Sequence, residues 1–171
     1  MRPIAIAILA VVFSGWKAPA AEGLSPQDLM FIQRAAANGR LQLRAAGLAL
    51  QRADRQVVKN LAQTLVSDYN RINQELTALA DRNDAVLPPD DPSDIEGLPI
   101  MQTKGSEFDK AYAVFVVGVC DLSVALYETE ASKGMNVQVK TWATETLHAL
   151  RLHAASAKGL QIPQAPVPLV K

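Results

Sequence analysis

The sequence predicts an all-α protein, an antiparallel four-helix bundle with one long central crossover. Three observations predict it. Apolar residues recur at helical spacing in four long segments. Capping and breaker residues separate the first segment from the second, and the third from the fourth, by only a few positions. The proline-rich stretch from Ala85 to Gly105 breaks all periodicity between the two pairs. Two short links make two antiparallel hairpins, and the long stretch joins them.

The chain opens on a pattern of export. Arg2 supplies a positive charge, Ile4 to Gly15 an apolar run, and Ala18-Pro19-Ala20 a small-x-small cleavage pattern. The expectation is a signal peptide over 1–20, a mature protein starting at Ala21 or Glu22, and a helical-bundle domain over 21–158. The run is short for a membrane span, and no span is expected in the mature chain.

Helix one starts at Ser25-Pro26-Gln27-Asp28, where Ser caps, Pro fits the first turn and Asp closes a capping box. It runs to about Ala53 with Leu29, Ile32, Ala36, Leu43, Ala46 and Leu50 inward and a kink or short interruption expected at Asn38-Gly39. Asp54 is the expected cap of helix two, which reaches about Asn83 on the stripe Val58, Leu61, Leu65, Tyr69, Ile72, Leu76 and Leu79. The crossover follows, with room for at most a helical turn near Ser93. Ser106 and Asp109 suggest another capping box, opening a helix through FDKAYAVFVVGVCDLSVALYETEA. Its residues from Ala111 to Cys120 carry no charge and point apolar groups in nearly every direction, so this helix is expected to be buried all round. Gly134 stops it. Asn136 caps the last helix, with the stripe Val139, Trp142, Ala143, Thr146, Leu150, His153 and Ala157. From Gly159 the residues 159–171 form a proline-punctuated tail, expected to be extended or disordered. No internal repeat is apparent. A bundle whose middle connection is the long one has the ferritin-like arrangement.

Composition narrows the function. Hydrophobic residues make up 49%, charged residues 20%, and basic and acidic residues balance at 17 each. That balance, with 5% aromatic residues, gives no case for a nucleic-acid partner. Cys120 is the single cysteine, so no intramolecular disulfide forms and stability must come from helix packing.

Polar or reactive residues fall on or near the inner stripes: Gln42, Asp68, Tyr69, Cys120, Glu128, Glu130 and His153. Taken singly, Tyr69 reads as a core aromatic, Cys120 as a small buried hydrophobe, His153 as a structural histidine or one half-exposed near the helix end, and Glu128 and Glu130 as solvated, with room for one of them to pair locally.

The segments FIQRAAANGRLQLRAAGLAL, LAQTLVSDYNRINQELTALA, GSEFDKAYAVFVVGVCDLSVALYETEA and WATETLHALRLHAASA together resemble the bacterial family called domain of unknown function 4142 (DUF4142), from about Leu29 to Ala157. The resemblance implies an exported, ferritin-like bundle, periplasmic or associated with the outer membrane, without an established activity. Members of that family typically carry a glutamate at the position of Gln42, an Asp-His pair at Asp68-Tyr69, a histidine at Cys120 and a proline at His148. Asp68 and His153 match. The interior polar site of the resembling family is therefore degenerate here.

The chemistry follows from what is left. A di-metal carboxylate site needs Glu-x-x-His pairs from two helices, and only Glu145 and His148 stand at that spacing. Cys120, His153 and Asp68 would make a three-ligand zinc or copper site if their helices converged. A Cys-His nucleophile needs a third orienting group and an open pocket. The expectation is a non-catalytic exported bundle with no metal and no cofactor, acting on an unidentified protein or small-molecule partner in the envelope or in stress tolerance. The alternative is a metal-binding or redox bundle with altered ligands.

Overall fold

The computed structural model describes residues 23–161, and every regular element among them is helical. The order is α1 (Pro26–Arg52), α2 (Gln56–Arg82), a 3-10 turn (Pro92–Ile95), a single-turn α3 (Pro99–Gln102), α4 (Gly105–Lys133) and α5 (Val137–Leu160). The expected leader over 1–20 and all of the expected tail beyond residue 161 lie outside the described residues. α1 packs on α2 and α4, and α5 packs on α4 and α2. The start of α1 meets the end of α4 through Gln27 and Glu130, and the end of α2 meets the start of α5 through Asn83 and Asn136. All four neighbouring pairs are thus antiparallel. The crossover leaves α2 at one end of the bundle and must enter α4 at the other. For helices of 27 residues that distance is about 40 Å, which is why this connection is long.

Ser25 and Asp28 form the expected capping box on α1. The helix then passes through Asn38-Gly39 without the expected break. Gly39 serves a close approach instead, since a Cβ there would stand 2.1 Å from Asn73 Oδ1 of α2. The buried seam of α1 is Phe31, Ile32, Ala35, Ala36, Ala45, Ala46 and Ala49. Leu29 is exposed, while Leu43 and Leu50 are half-buried, so three expected inward leucines flank the seam rather than fill it. A line of alanines lets α1 lie close to its neighbours, and the longer side chains cover its edges.

The stripe of α2 is buried throughout as read from the sequence. Its start is not. Asp54 provides no cap; the backbone N–H groups of Asp54 and Arg55 donate to Asp109 of α4 at 3.1 and 2.8 Å. Asp109 is therefore committed across the bundle, and the expected Ser106–Asp109 box at the start of α4 does not form. The opposite end carries the same device. Asp28 of α1 accepts from the backbone N–H groups of Met135 and Asn136, in the α4–α5 turn, at 2.9 and 3.2 Å.

These two latches are equivalent. One constant shift along the chain takes Asp28 to Asp109, and Asp54-Arg55 to Met135-Asn136. The same shift takes buried Phe31, Gln42 and Ala46 of α1 to buried Tyr112, Ser123 and Tyr127 of α4. It also takes Val58, Tyr69 and Leu79 of α2 to Val139, Leu150 and Leu160 of α5. The hairpins are a structural repeat that the sequence did not reveal, because burial is kept while residue identity has drifted.

α4 corrects the expectation of complete burial. Phe108, Tyr112, Val116, Cys120, Ser123 and Tyr127 face inward, but Val114 and Leu122 are 68% and 69% exposed. A helix at one corner of a four-helix bundle has two neighbours, and they cover only one arc of it. Among the described residues, α4 is the one helix long and apolar enough to cross a membrane; here its inner arc packs on α1 and α5.

The crossover climbs along α1. Gln33 bonds Val86 O, Arg40 bonds Pro88 O and Pro89 O, and Arg52 bonds Met101 O. Arg44 pairs with Asp90 and Asp94 and bonds Asp91 O. Ile95 and Ile100 are buried beneath it. The segment near Ser93 is the 3-10 turn, and α3 is a second turn that proline-rich sequence concealed. α5 starts on Asn136, whose side chain accepts from Gln138 and Val139 N–H. It continues to Leu160, past the expected boundary at 158.

Candidate functional site

The interior polar layer draws on all four long helices. Gln42 of α1 is buried, and its Nε2 donates to Cys120 Sγ of α4 at 3.6 Å. Asn38, one turn earlier, donates from Nδ2 to Ser123 Oγ at 2.7 Å, and Ser123 donates onward to Val119 O at 2.8 Å. The Tyr69 hydroxyl of α2 lies 3.5 Å from Ser123 Oγ and also meets Gln42. The Tyr69 ring centroid is 5.7 Å from that of His153 on α5. His153 is 3% exposed, and its Nε2 stands 2.7 Å from Asp68 Oδ2. Nδ1 of the same ring is buried without a partner. Asp68 reaches the edge of the bundle, where it lines an open groove along α2 with Asn60, Gln63, Thr64 and Ser67.

Burial sets the electrostatics. It pushes the Cys120 thiol up to about 11, with the Gln42 hydrogen bond holding it back, so thiolate is scarce near neutrality. It pushes the Tyr69 and Tyr112 phenols well above their ordinary value. Neutral Gln42, a protonated phenol and a protonated thiol are poor ligands for a hard cation. Among the described residues no group of three or more His, Cys, Asp or Glu side chains is placed to hold a metal ion. Cys120, His153 and Asp68 therefore do not gather as a three-ligand set: Asp68 touches His153, while Cys120 bonds Gln42. His148 is exposed and away from this layer.

Ser123 and Asn38 belong to the layer and were not singled out in the sequence. The signal was present: Asn38 precedes Gln42 by one helical turn, and Ser123 follows Cys120 by nearly one. Of the two glutamates read as solvated, Glu128 is exposed and pairs with Arg151. Glu130 corrects that reading. It is fully buried against Asp28 at the end of the bundle. A carboxylate at a helix end reads as solvated until the partner helix that covers it is known.

A sequence profile described as Domain of unknown function (DUF4142) matches residues 15–160. No curated protein matches the chain. Among solved structures, the chain is similar to a DUF305 fragment from Deinococcus radiodurans, with 16% identity and a TM-score of 0.64, covering 81% of this chain and 97% of that one. It is also similar to CopM in its Cu(I)-bound form, with 15% identity and a TM-score of 0.65, covering 77% of this chain and 93% of CopM. The Cu(II)-bound form of CopM gives 16% identity and a TM-score of 0.63, covering 77% and 94%. At such identities the likeness is one of fold.

Proposed function

The chain belongs to the DUF4142 family, and from that premise we propose that it is an exported, non-catalytic helical bundle that acts through its surface. The observation that carries the reading is the closed interior layer. Gln42, Cys120, Asn38, Ser123 and Tyr69 satisfy one another, leaving neither an activated nucleophile nor an anionic ligand set at the bundle centre. The leader-like pattern of Arg2, Ile4–Gly15 and Ala18-Pro19-Ala20 supports a periplasmic place, with outer-membrane association as an extension of it. The balanced charge supports a protein or small-molecule partner over nucleic acid. Envelope upkeep or stress tolerance is the role in keeping with such a protein.

A second reading is that the layer takes a soft metal such as Cu(I). The unpartnered Nδ1 of buried His153 favours it, and so does the fold shared with CopM, which was solved with copper bound. Imidazole and thiol are the ligand types copper selects.

One preparation tests both. Protein purified from the exported fraction is expected to have an intact mass starting at Ala21 or Glu22 and to carry no stoichiometric iron, zinc, copper or manganese. A full-length mass in the membrane fraction would overturn export with cleavage. Bound copper, with a raised melting temperature on adding it, would replace the first reading by the second. The triple variant Gln42→Glu, Tyr69→His, Cys120→His puts a carboxylate and two imidazoles into the layer that also holds His153 and is expected to gain metal-dependent stabilisation; a folded variant that gains none would show that these positions do not converge on His153.

A further inference from the structure

At the end of the bundle opposite Asp109, two carboxyl groups are closed off from water together. Asp28 of α1 and Glu130 of α4 are both fully buried. Asp28 already accepts three backbone donors, Ser25 N–H at 2.8 Å, Met135 N–H at 2.9 Å and Asn136 N–H at 3.2 Å, and keeps acceptor capacity for one more. Glu130 has one donor, Gln27 Nε2, at 3.1 Å from Oε2. Its Oε1 is buried with no donor at all. The carboxyl is folded back over Gly134, where a Cβ would meet Oε1 at 2.4 Å, so only the absence of a side chain at 134 leaves room for it. A buried carboxylate oxygen without a donor is costly, and a second carboxylate beside it makes the charge costlier. A proton on Glu130 removes both problems, because the acid then donates to the anionic oxygens of Asp28.

We propose that Glu130 is a proton-binding site: its carboxyl takes up one proton, donates it in a hydrogen bond to Asp28, and in that form holds the α4–α5 turn against the start of α1. The charged and polar groups facing it, among the described residues, are Asp28 and Gln27 from α1 and Lys140 from α5. From α2, Asn83 reaches the same end through Asn136. Burial, then Asp28, raises the Glu130 carboxyl to about 7, against the pull of Gln27 and Lys140. Burial also pushes Asp28 up, but the hydrogen bonds from Ser25, Glu130 and Met135 outweigh it and hold the group at about 2.

The signs are opposite for the two groups. Glu130 binds its proton more tightly folded than unfolded, so the stability it adds is complete below the ordinary value of 4.5 and is lost as pH rises through about 7. Asp28 adds stability that is complete above 3.8 and is lost as pH falls through about 2. Between those limits the latch is closed. Above them Glu130 becomes a second buried carboxylate, and the turn that carries exposed Met135 and Val137 loosens from α1.

Urea unfolding of the mature chain at a series of pH values tests this. The wild-type midpoint is expected to fall between pH 6 and pH 8.5, while Glu130→Gln, which keeps an N–H donor and cannot ionise, stays level and exceeds wild type at pH 8.5. Glu128→Gln, on the exposed face of the same helix, should follow wild type. Parallel profiles for wild type and Glu130→Gln would overturn the proposal. A reading that does not need the variant to fold is the side-chain carboxyl carbon of Glu130 in wild-type protein, followed by NMR. A titration midpoint near 7 supports the site; one near 4.5 sinks it.

Discussion

At the scale of single residues, two helical-region glycines do different work. Gly134 ends α4 with ordinary backbone angles, so its freedom at positive φ is not what the fold uses. A Cβ there would lie 2.7 Å from the carbonyl oxygen of Glu130, a backbone atom that cannot yield. At Gly39 the obstacle is Asn73 Oδ1, the far end of a side chain that can rotate away, and that oxygen has no partner to lose. Alanine also gains about 1 kcal/mol over glycine inside a helix. Gly134→Ala is therefore expected to destabilise by about 1–3 kcal/mol, and Gly39→Ala to stay within about 1 kcal/mol of wild type. Urea midpoints at pH 6 would check both, and equal losses would show that the helix contact at Gly39 is rigid. Legibility at this scale was mixed. Buried Tyr69 and Cys120 follow from the apolar stripes they sit on, whereas buried Glu130 does not, because its cover comes from a helix a hundred residues away.

At the scale of elements, the crossover differs most from its sequence. Its prolines and acids predict a loose connection. The acids are instead placed against a basic ladder on α1, and Ile95 and Ile100 anchor the segment from beneath. Arg44 is the centre of that ladder, bonding Asp90, Asp91 and Asp94. Arg44→Ala should leave global stability almost unchanged, since solvent-facing ion pairs contribute little. It should speed proteolytic nicking within residues 85–104 several-fold. Ile100→Ala should instead cost about 2–5 kcal/mol, because that side chain is fully buried. Unchanged nicking of Arg44→Ala would mean that the apolar anchors alone hold the segment. Arg40, Arg44 and Arg52, four and eight residues apart on α1, could be read as one face, but nothing local says that this face is roofed by acids fifty residues on.

At the scale of the whole molecule, two hairpins are held together by one buried aspartate at each end. Each accepts two backbone N–H groups from the turn of the other hairpin. Asp28→Asn and Asp109→Asn each weaken charge-assisted bonds and should cost about 1.5–3 kcal/mol at pH 6. The sites stand a bundle length apart with no shared partner, so the double variant should lose the sum within about 0.5 kcal/mol. A larger discrepancy in urea melts would mean that the hairpins separate as one cooperative step at the first broken latch. Periodicity, prolines and Ser or Asn caps act within a few residues of themselves, so the four helices, the two hairpins and the need for a long connection are legible along the chain. So are the polar side chains that point inward on α2 and α5. That α4 keeps an exposed apolar arc, that Asp28 and Asp109 also accept from the turn of the other hairpin, and that Glu130 is buried against Asp28 emerge only when the helices are packed. Those features depend on which helix lies beside which, and burial by a distant segment leaves no mark on the local pattern of the residues it covers.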